Sequence, residues 1–137
     1  MKILYRTKAT ASGGRDGSVA TADGSFQAKL GMPKELGGNG IGNNPEQLFA
    51  SGYAACFLSA LKFVAGKAGV KVPADATVAA EVGLGDTGAG FALDVGLTVA
   101  LPGLAKVDAE ALVAKAHQVC PYSNATRNNI AVRLSVA

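Results

Sequence analysis

Apolar and polar positions alternate loosely from Ile3 to Thr10, which predicts a first strand. The runs Ser18–Thr21 and Phe26–Leu30 flank Ala22-Asp23-Gly24-Ser25, and Asp-Gly between two such runs predicts a hairpin. Met32 to Asn43 is a long glycine-rich loop, of a length that compact domains often reserve for function. The pattern then changes. From Leu48 to Leu61 the residues are apolar nearly all round a helix, which predicts burial on most sides. Asn44 suits the N-cap, Pro45 the first helical position and Glu46 the positive end of the dipole, while Gln47 can complete a capping box. Gly69 and Pro73 stop this helix, so it should end near Lys67.

Alternation returns in Thr77–Leu84 and Phe91–Leu101, two strands joined by Gly85-Asp86-Thr87-Gly88-Ala89-Gly90 as a second hairpin. Asp108 to His117 reads as an amphipathic helix with Val107, Leu112 and Val113 inward and Asp108 as its N-cap. Cys120-Pro121-Tyr122-Ser123-Asn124 begins a turn or short helix, and Ile130–Val136 reads as the last strand. Strands, helix, strands, helix, strand is the order of an α+β fold with a mostly antiparallel sheet. One small sheet cannot enclose the Leu48–Leu61 helix, so a second layer is expected, such as another subunit would supply.

Composition narrows the picture. The chain has 137 residues, the size of one domain spanning 1–137, and 49% are hydrophobic. It has no Trp, so Ala, Val and Leu must build the core. The net charge is +3 with Lys and Arg scattered, which argues against nucleic acid. The N-terminus lacks a signal-peptide apolar region, and no apolar stretch reads as an unbroken span of about 18 residues, so no membrane partner is expected. Two cysteines are too few for a disulfide scaffold and fit the reducing cytosol, giving a cytoplasmic expectation. No cofactor is expected: no phosphate-binding glycine motif stands between a strand and a helix, and no clustered ligands point to a metal.

Candidate chemistry centres on the two thiols. Cys56 lies mid-helix among apolar residues, where burial raises a thiol's pKa and leaves it inert. It sits about 15 Å from the helix start at 1.5 Å per residue, beyond the reach of the dipole. Activation needs an external cation. Arg15, in the glycine-flanked loop Gly13-Gly14-Arg15-Asp16-Gly17, is a candidate, although a solvated loop arginine reads the same way. Glu46 is its natural bidentate partner, unless it serves only the helix dipole. Glu46 and Cys56 share one helix on different faces, so a site using both draws Glu46 from another subunit, and an intertwined homodimer is expected. Pro121 ends regular structure beside Cys120, which predicts an exposed, mobile thiol suited to attack an oxidised partner. His117, the single histidine, stands three residues before Cys120, and His-x-x-Cys could suggest a metal pair or a Cys–His hydrolase, but no second metal cluster accompanies it.

Four blocks carry a resemblance: Gly13-Gly14-Arg15-Asp16-Gly17; Pro33-Lys34-Glu35-Leu36-Gly37-Gly38; Asn44-Pro45-Glu46-Gln47-Leu48-Phe49-Ala50-Ser51-Gly52-Tyr53-Ala54-Ala55-Cys56-Phe57; and Cys120-Pro121-Tyr122-Ser123-Asn124-Ala125-Thr126-Arg127. In order and spacing they resemble the organic hydroperoxide resistance branch of the Ohr/OsmC family, over essentially the whole chain. Small departures fall at Asn43, where threonine is more usual, at Ser51, where alanine is, and near Asn128 or Asn129, where glycine is.

The resemblance implies an OsmC-like fold, with mostly antiparallel sheets around a long central helix in an intertwined homodimer. It implies a thiol peroxidase acting on alkyl and fatty acid hydroperoxides, with Cys56 peroxidatic, Cys120 resolving, and Arg15 and Glu46 activating the thiolate. A dithiol, typically lipoyl groups on protein carriers, would reduce it, with no metal and no other cofactor. Phe49, Phe57 and Leu58 are the expected apolar lining for substrate. An OsmC-type peroxidase of broader range, a non-catalytic small-molecule binding module and a hydrolase using His117 remain the competing expectations.

Overall fold

A computed structural model describes all 137 residues, Met1–Ala137. The chain forms two compact units, Met1–Leu48 and Phe49–Ala137. The first holds a three-stranded antiparallel sheet in the order β1 (Ala9–Ser12), β2 (Ser18–Thr21), β3 (Gln27–Lys29). The Asp23–Gly24 hairpin forms as its sequence predicts. Asp23 Oδ1 accepts bonds from Thr21 Oγ1 at 2.7 Å and from the Ser25 amide at 3.1 Å, and these donors hold the exposed carboxyl at about 2.

The predicted strand Ile3–Thr10 is corrected to one that begins at Ala9. The cause is its partner: β2 reaches only Thr21 before turning, so Ala9 pairs with Thr21 and Lys8 adds one last bond to the Ala22 amide. Residues 1–8 are exposed, with Leu4 and Tyr5 among them.

α1 (Pro45–Lys67) begins where expected. The capping box is complete: Asn44 Oδ1 accepts from the Gln47 amide at 2.9 Å, and Gln47 Oε1 accepts from the Asn44 amide at 3.0 Å. Its far end is closed by Gly69 at φ 68°, with the Val70 amide bonded to the Ala65 carbonyl at 2.9 Å. At 23 residues α1 is long and apolar enough to cross a membrane by length and composition, contrary to the sequence expectation that no stretch is. Here it is instead the core helix of the second unit. Its buried residues are Tyr53, Phe57, Ala60, Leu61, Val64 and Ala65, a single stripe at helical spacing. Burial on most sides does not hold within one chain, because Ser51, Ala55, Ser59 and Phe63 remain exposed.

The second unit packs that stripe against β4 (Thr77–Asp86), β5 (Phe91–Ala100), α2 (Lys106–Val119), α3 (Pro121–Thr126) and β6 (Arg133–Val136). Along β5, Val95, Leu97 and Val99 alternate inward with almost no exposure. The β4–β5 pair is antiparallel from Thr77↔Ala100 to Asp86↔Phe91, whereas β6 runs parallel to β5. A parallel pair needs a long crossover, and α2 with α3 provides it.

Two expectations for α2 are corrected. The helix starts at Lys106 with Ala105 as its N-cap, so Asp108 lies inside the first turn. The buried face is Ala109, Leu112, Val113 and Ala116, which leaves Val107 on the opposite side and 71% exposed. The last strand is likewise shorter than Ile130–Val136, since its pairing with β5 begins at Arg133↔Gly96.

Replacing Asn44 by Ala removes one half of the capping box, so the chain should lose about 1 kcal/mol of unfolding free energy in a urea titration. Asn44→Asp should retain most of it.

Candidate functional site

Two clusters hold the candidate residues, one in each unit. In the first, Gly14–Asp16 forms one turn of 3-10 helix that presents Arg15. Glycine is required on both flanks. Gly13 has φ 73°, and a Cβ on Gly17 would lie 1.7 Å from the Ser12 carbonyl oxygen. From this turn Arg15 reaches Glu46 at the start of α1 as a two-pronged pair, Nη1 to Oε2 at 2.7 Å and Nη2 to Oε1 at 2.6 Å. The guanidinium hydrogen bonds hold the Glu46 carboxyl below its ordinary value, and the carboxylate raises Arg15 in return. Arg15 and Glu46 therefore meet within one chain and travel as a unit.

In the second unit, Cys56 on α1 and Cys120 between α2 and α3 are free thiols with their sulfurs 3.3 Å apart. A disulfide needs about 2.05 Å, so the atoms have to close by only about 1.2 Å. The local settings predicted for the two cysteines are reversed. Cys120 is completely buried, and Cys56 is the partly exposed one. Pro121 does not release Cys120 to solvent, because it occupies the first position of α3. Cys120 caps two helices at once: its amide bonds the Ala116 carbonyl at 2.9 Å, and its carbonyl accepts the Asn124 amide at 2.9 Å. With its backbone held on both sides, its side chain joins the core.

Burial pushes the Cys56 thiol up, the Tyr122 backbone N–H pulls it down, and the adjacent Cys120 thiol pushes it up again, for a net rise. Tyr122 also packs over α1. A Cβ on Gly52 would sit 2.9 Å from the Tyr122 hydroxyl oxygen, so that ring needs glycine beneath it. Tyr122 was not singled out in the sequence. Its position two residues after Cys120, behind a helix-starting proline, is the signal that points to it.

The expected apolar lining divides. Phe49 and Leu58 are half-buried at the edge of the core, Phe49 with its ring 6.1 Å from that of Tyr122. Phe57 is fully buried with its ring against Tyr53 and His117, because the next position along a helix turns about 100° from Cys56. Truncating such a phenylalanine costs roughly 3–5 kcal/mol, which accounts for its presence without a substrate. His117 turns its Nδ1 to Ser123 Oγ at 2.9 Å, and burial together with Arg127 lowers its pKa. Asn128 has φ 65°, the left-handed region that favours glycine and next admits asparagine, which accounts for the departure at that position.

Comparison with known proteins identifies the family and the fold. The OsmC-like protein family matches residues 37–135. The organic hydroperoxide resistance protein of Xanthomonas axonopodis pv. citri is 52% identical over 137 residues, covering 99% of this chain and 96% of that protein. The crystal structure of an organic hydroperoxide resistance protein from Legionella pneumophila superposes with a TM-score of 0.94 at 52% identity, covering 99% of each chain. That of OhrB from Bacillus subtilis gives a TM-score of 0.88 at 40% identity, covering 98% of this chain and 100% of the other. Family match, relatives and fold converge, and the chain belongs to the OsmC-like family, among its organic hydroperoxide resistance proteins.

Proposed function

We propose that this chain is a cysteine-based peroxidase that reduces organic hydroperoxides to alcohols, working as one domain over residues 1–137 in an intertwined homodimer in the cytoplasm. The observation that carries the proposal is the 3.3 Å approach of two free thiols, one buried and one partly exposed. The Cys56 thiolate attacks the terminal oxygen of the hydroperoxide, and the O–O bond breaks. The hydroxyl passes to sulfur as Cys56–SOH, and the alkoxide leaves and takes up a proton to become the alcohol. Cys120–SH then condenses with the sulfenic acid, forming the S–S bond and releasing water. An external dithiol, such as a lipoyl group on a carrier protein, reopens that bond by exchange.

The net upward shift of Cys56 means the thiolate needs a positive charge. Arg15, fixed in orientation by Glu46, is the proposed source. α1 runs unbroken through Glu46 and Cys56, ten positions apart, so a clamp built on Glu46 serves a thiol on the second copy. Phe49 and Leu58 would favour alkyl chains over hydrogen peroxide. The clamp has an acid limit. Glu46 has a lowered folded pKa, so the pair's contribution is present above the ordinary glutamate value of about 4.3 and is lost as pH falls through the folded value.

With an alkyl hydroperoxide, Cys56→Ser should lose all turnover, while Cys120→Ser should consume one equivalent and stop at a sulfenic acid seen by mass spectrometry. Residual turnover in Cys56→Ser overturns the assignment. Arg15→Ala should raise the Cys56 pKa and slow the first oxidation, read from ultraviolet thiolate absorbance against pH; an unchanged titration removes Arg15 from the mechanism. Burial also determines which sulfur a reductant meets. A monothiol such as 2-mercaptoethanol, added to oxidised protein and quenched with acid, should be found on Cys56, and its appearance on Cys120 would count against this order of exchange.

A further inference from the structure

Ser123 and Thr126 are buried, like the Tyr53 hydroxyl they meet, and both stand on α3 directly after Cys120. Ser123 is fully enclosed. Its Oγ meets the Tyr53 hydroxyl at 2.9 Å and His117 Nδ1 at 2.9 Å. The Tyr53 hydroxyl also meets Thr126 Oγ1 at 3.2 Å, and Thr126 Oγ1 donates to the Ser123 carbonyl at 3.1 Å. No buried side-chain polar atom is left without a partner.

The placement of these groups is specific. Tyr53 lies three residues before Cys56 on α1, His117 three before Cys120 on α2, and Ser123 three after it on α3. Each is one helical turn from a sulfur, and Ser123 Oγ joins them. Apolar side chains of the same shape would fill this space at little or no loss of stability, because a fully satisfied buried hydrogen bond contributes only about 0.5–1.5 kcal/mol net. Directional bonds add what apolar packing does not, a fixed position of α3 along α1.

We infer that Tyr53, Ser123 and His117 form a positioning network for the condensation step, holding Cys120 against Cys56 so that the sulfenic acid is captured before it reacts elsewhere. The inference deepens the peroxidase proposal and rests on it for the sulfenic acid. The network touches neither the peroxide nor the reacting sulfurs. It acts through the two turns that carry the cysteines. Condensation requires the Cys120 sulfur to approach Cys56 along the line of the departing hydroxyl, and a misplacement of about 1 Å in such a geometry costs up to about a hundredfold in rate.

The test uses Tyr53→Phe, which keeps the ring and removes only the hydroxyl, together with Ser123→Ala. Reduced protein is mixed with one equivalent of tert-butyl hydroperoxide and followed by stopped flow, with dimedone present to trap sulfenic acid. Disulfide formation should slow by about tenfold and the dimedone adduct on Cys56 should rise, while the rate of Cys56 oxidation changes by less than about twofold. The double variant should be no slower than the slower single one, since both break the same junction.

A second measurement does not need peroxide. In glutathione redox buffers the Cys56–Cys120 disulfide should become about tenfold easier to reduce in Tyr53→Phe, which is about 30 mV for a two-electron couple. If wild-type protein loses no thiol to the hydroperoxide, the peroxidase proposal fails, and the redox equilibrium still decides the network. A wild-type disulfide equilibrium in Tyr53→Phe, or oxidation and condensation slowed by the same factor, overturns the inference. If Ser123→Ala does not fold, Tyr53→Phe alone decides it.

Discussion

The second unit is organised around the burial of Cys120 at the junction of α2 and α3. A cysteine between two helices has to satisfy backbone groups from both, and Cys120 does so with its amide to Ala116 and its carbonyl to Asn124. With the backbone spoken for, its side chain has one direction left, into the core, where Cys56 waits at 3.3 Å. Pro121 makes this possible by starting a new helix, with a fixed φ and no donor to satisfy. The hydroxyls of Tyr53, Ser123 and Thr126 are buried in consequence and find partners only in one another, in His117 and in the Ser123 carbonyl.

The first unit is organised around a charge. A part-buried ion pair such as Arg15–Glu46, with side chains 35% and 14% accessible, offsets its attraction by desolvation and is weak support for stability. That is little return for a loop needing glycine at two positions to hold its shape. Such a cost is reasonable when a guanidinium has to be aimed, and two-pronged pairing aims it better than a single bond does. Arg133–Asp94, also two-pronged, is more exposed on both sides and ties β6 to β5.

Much of this was legible from local rules. The capping box on α1, the Asp-Gly hairpin, the alternation of β5 and the end of α1 near Lys67 depend on neighbours in sequence, and they appear where they were expected. Arg15 and Glu46, proposed as partners from chemistry alone, do pair. The readings that failed depended on what lies opposite. Ile3–Lys8 alternates like a strand but has run past the end of β2. Val107 looks inward only if Asp108 caps its helix, and the helix begins earlier.

The sequence by itself determined the element order, the α1 cap and the two thiols, because hydrogen-bond chemistry within a few residues and residue type suffice for those, whereas the pairing of Arg15 with Glu46, 31 residues apart, was one of two open readings until the fold joined them. Only the tertiary structure decided which thiol is accessible. By local composition Cys56 was the buried one and Cys120 the exposed one, and packing reversed them. Accessibility depends on which face of α1 the sheet and α2 cover, and on where a helix junction can discharge its backbone donors and acceptors. Both are properties of elements far apart in the chain.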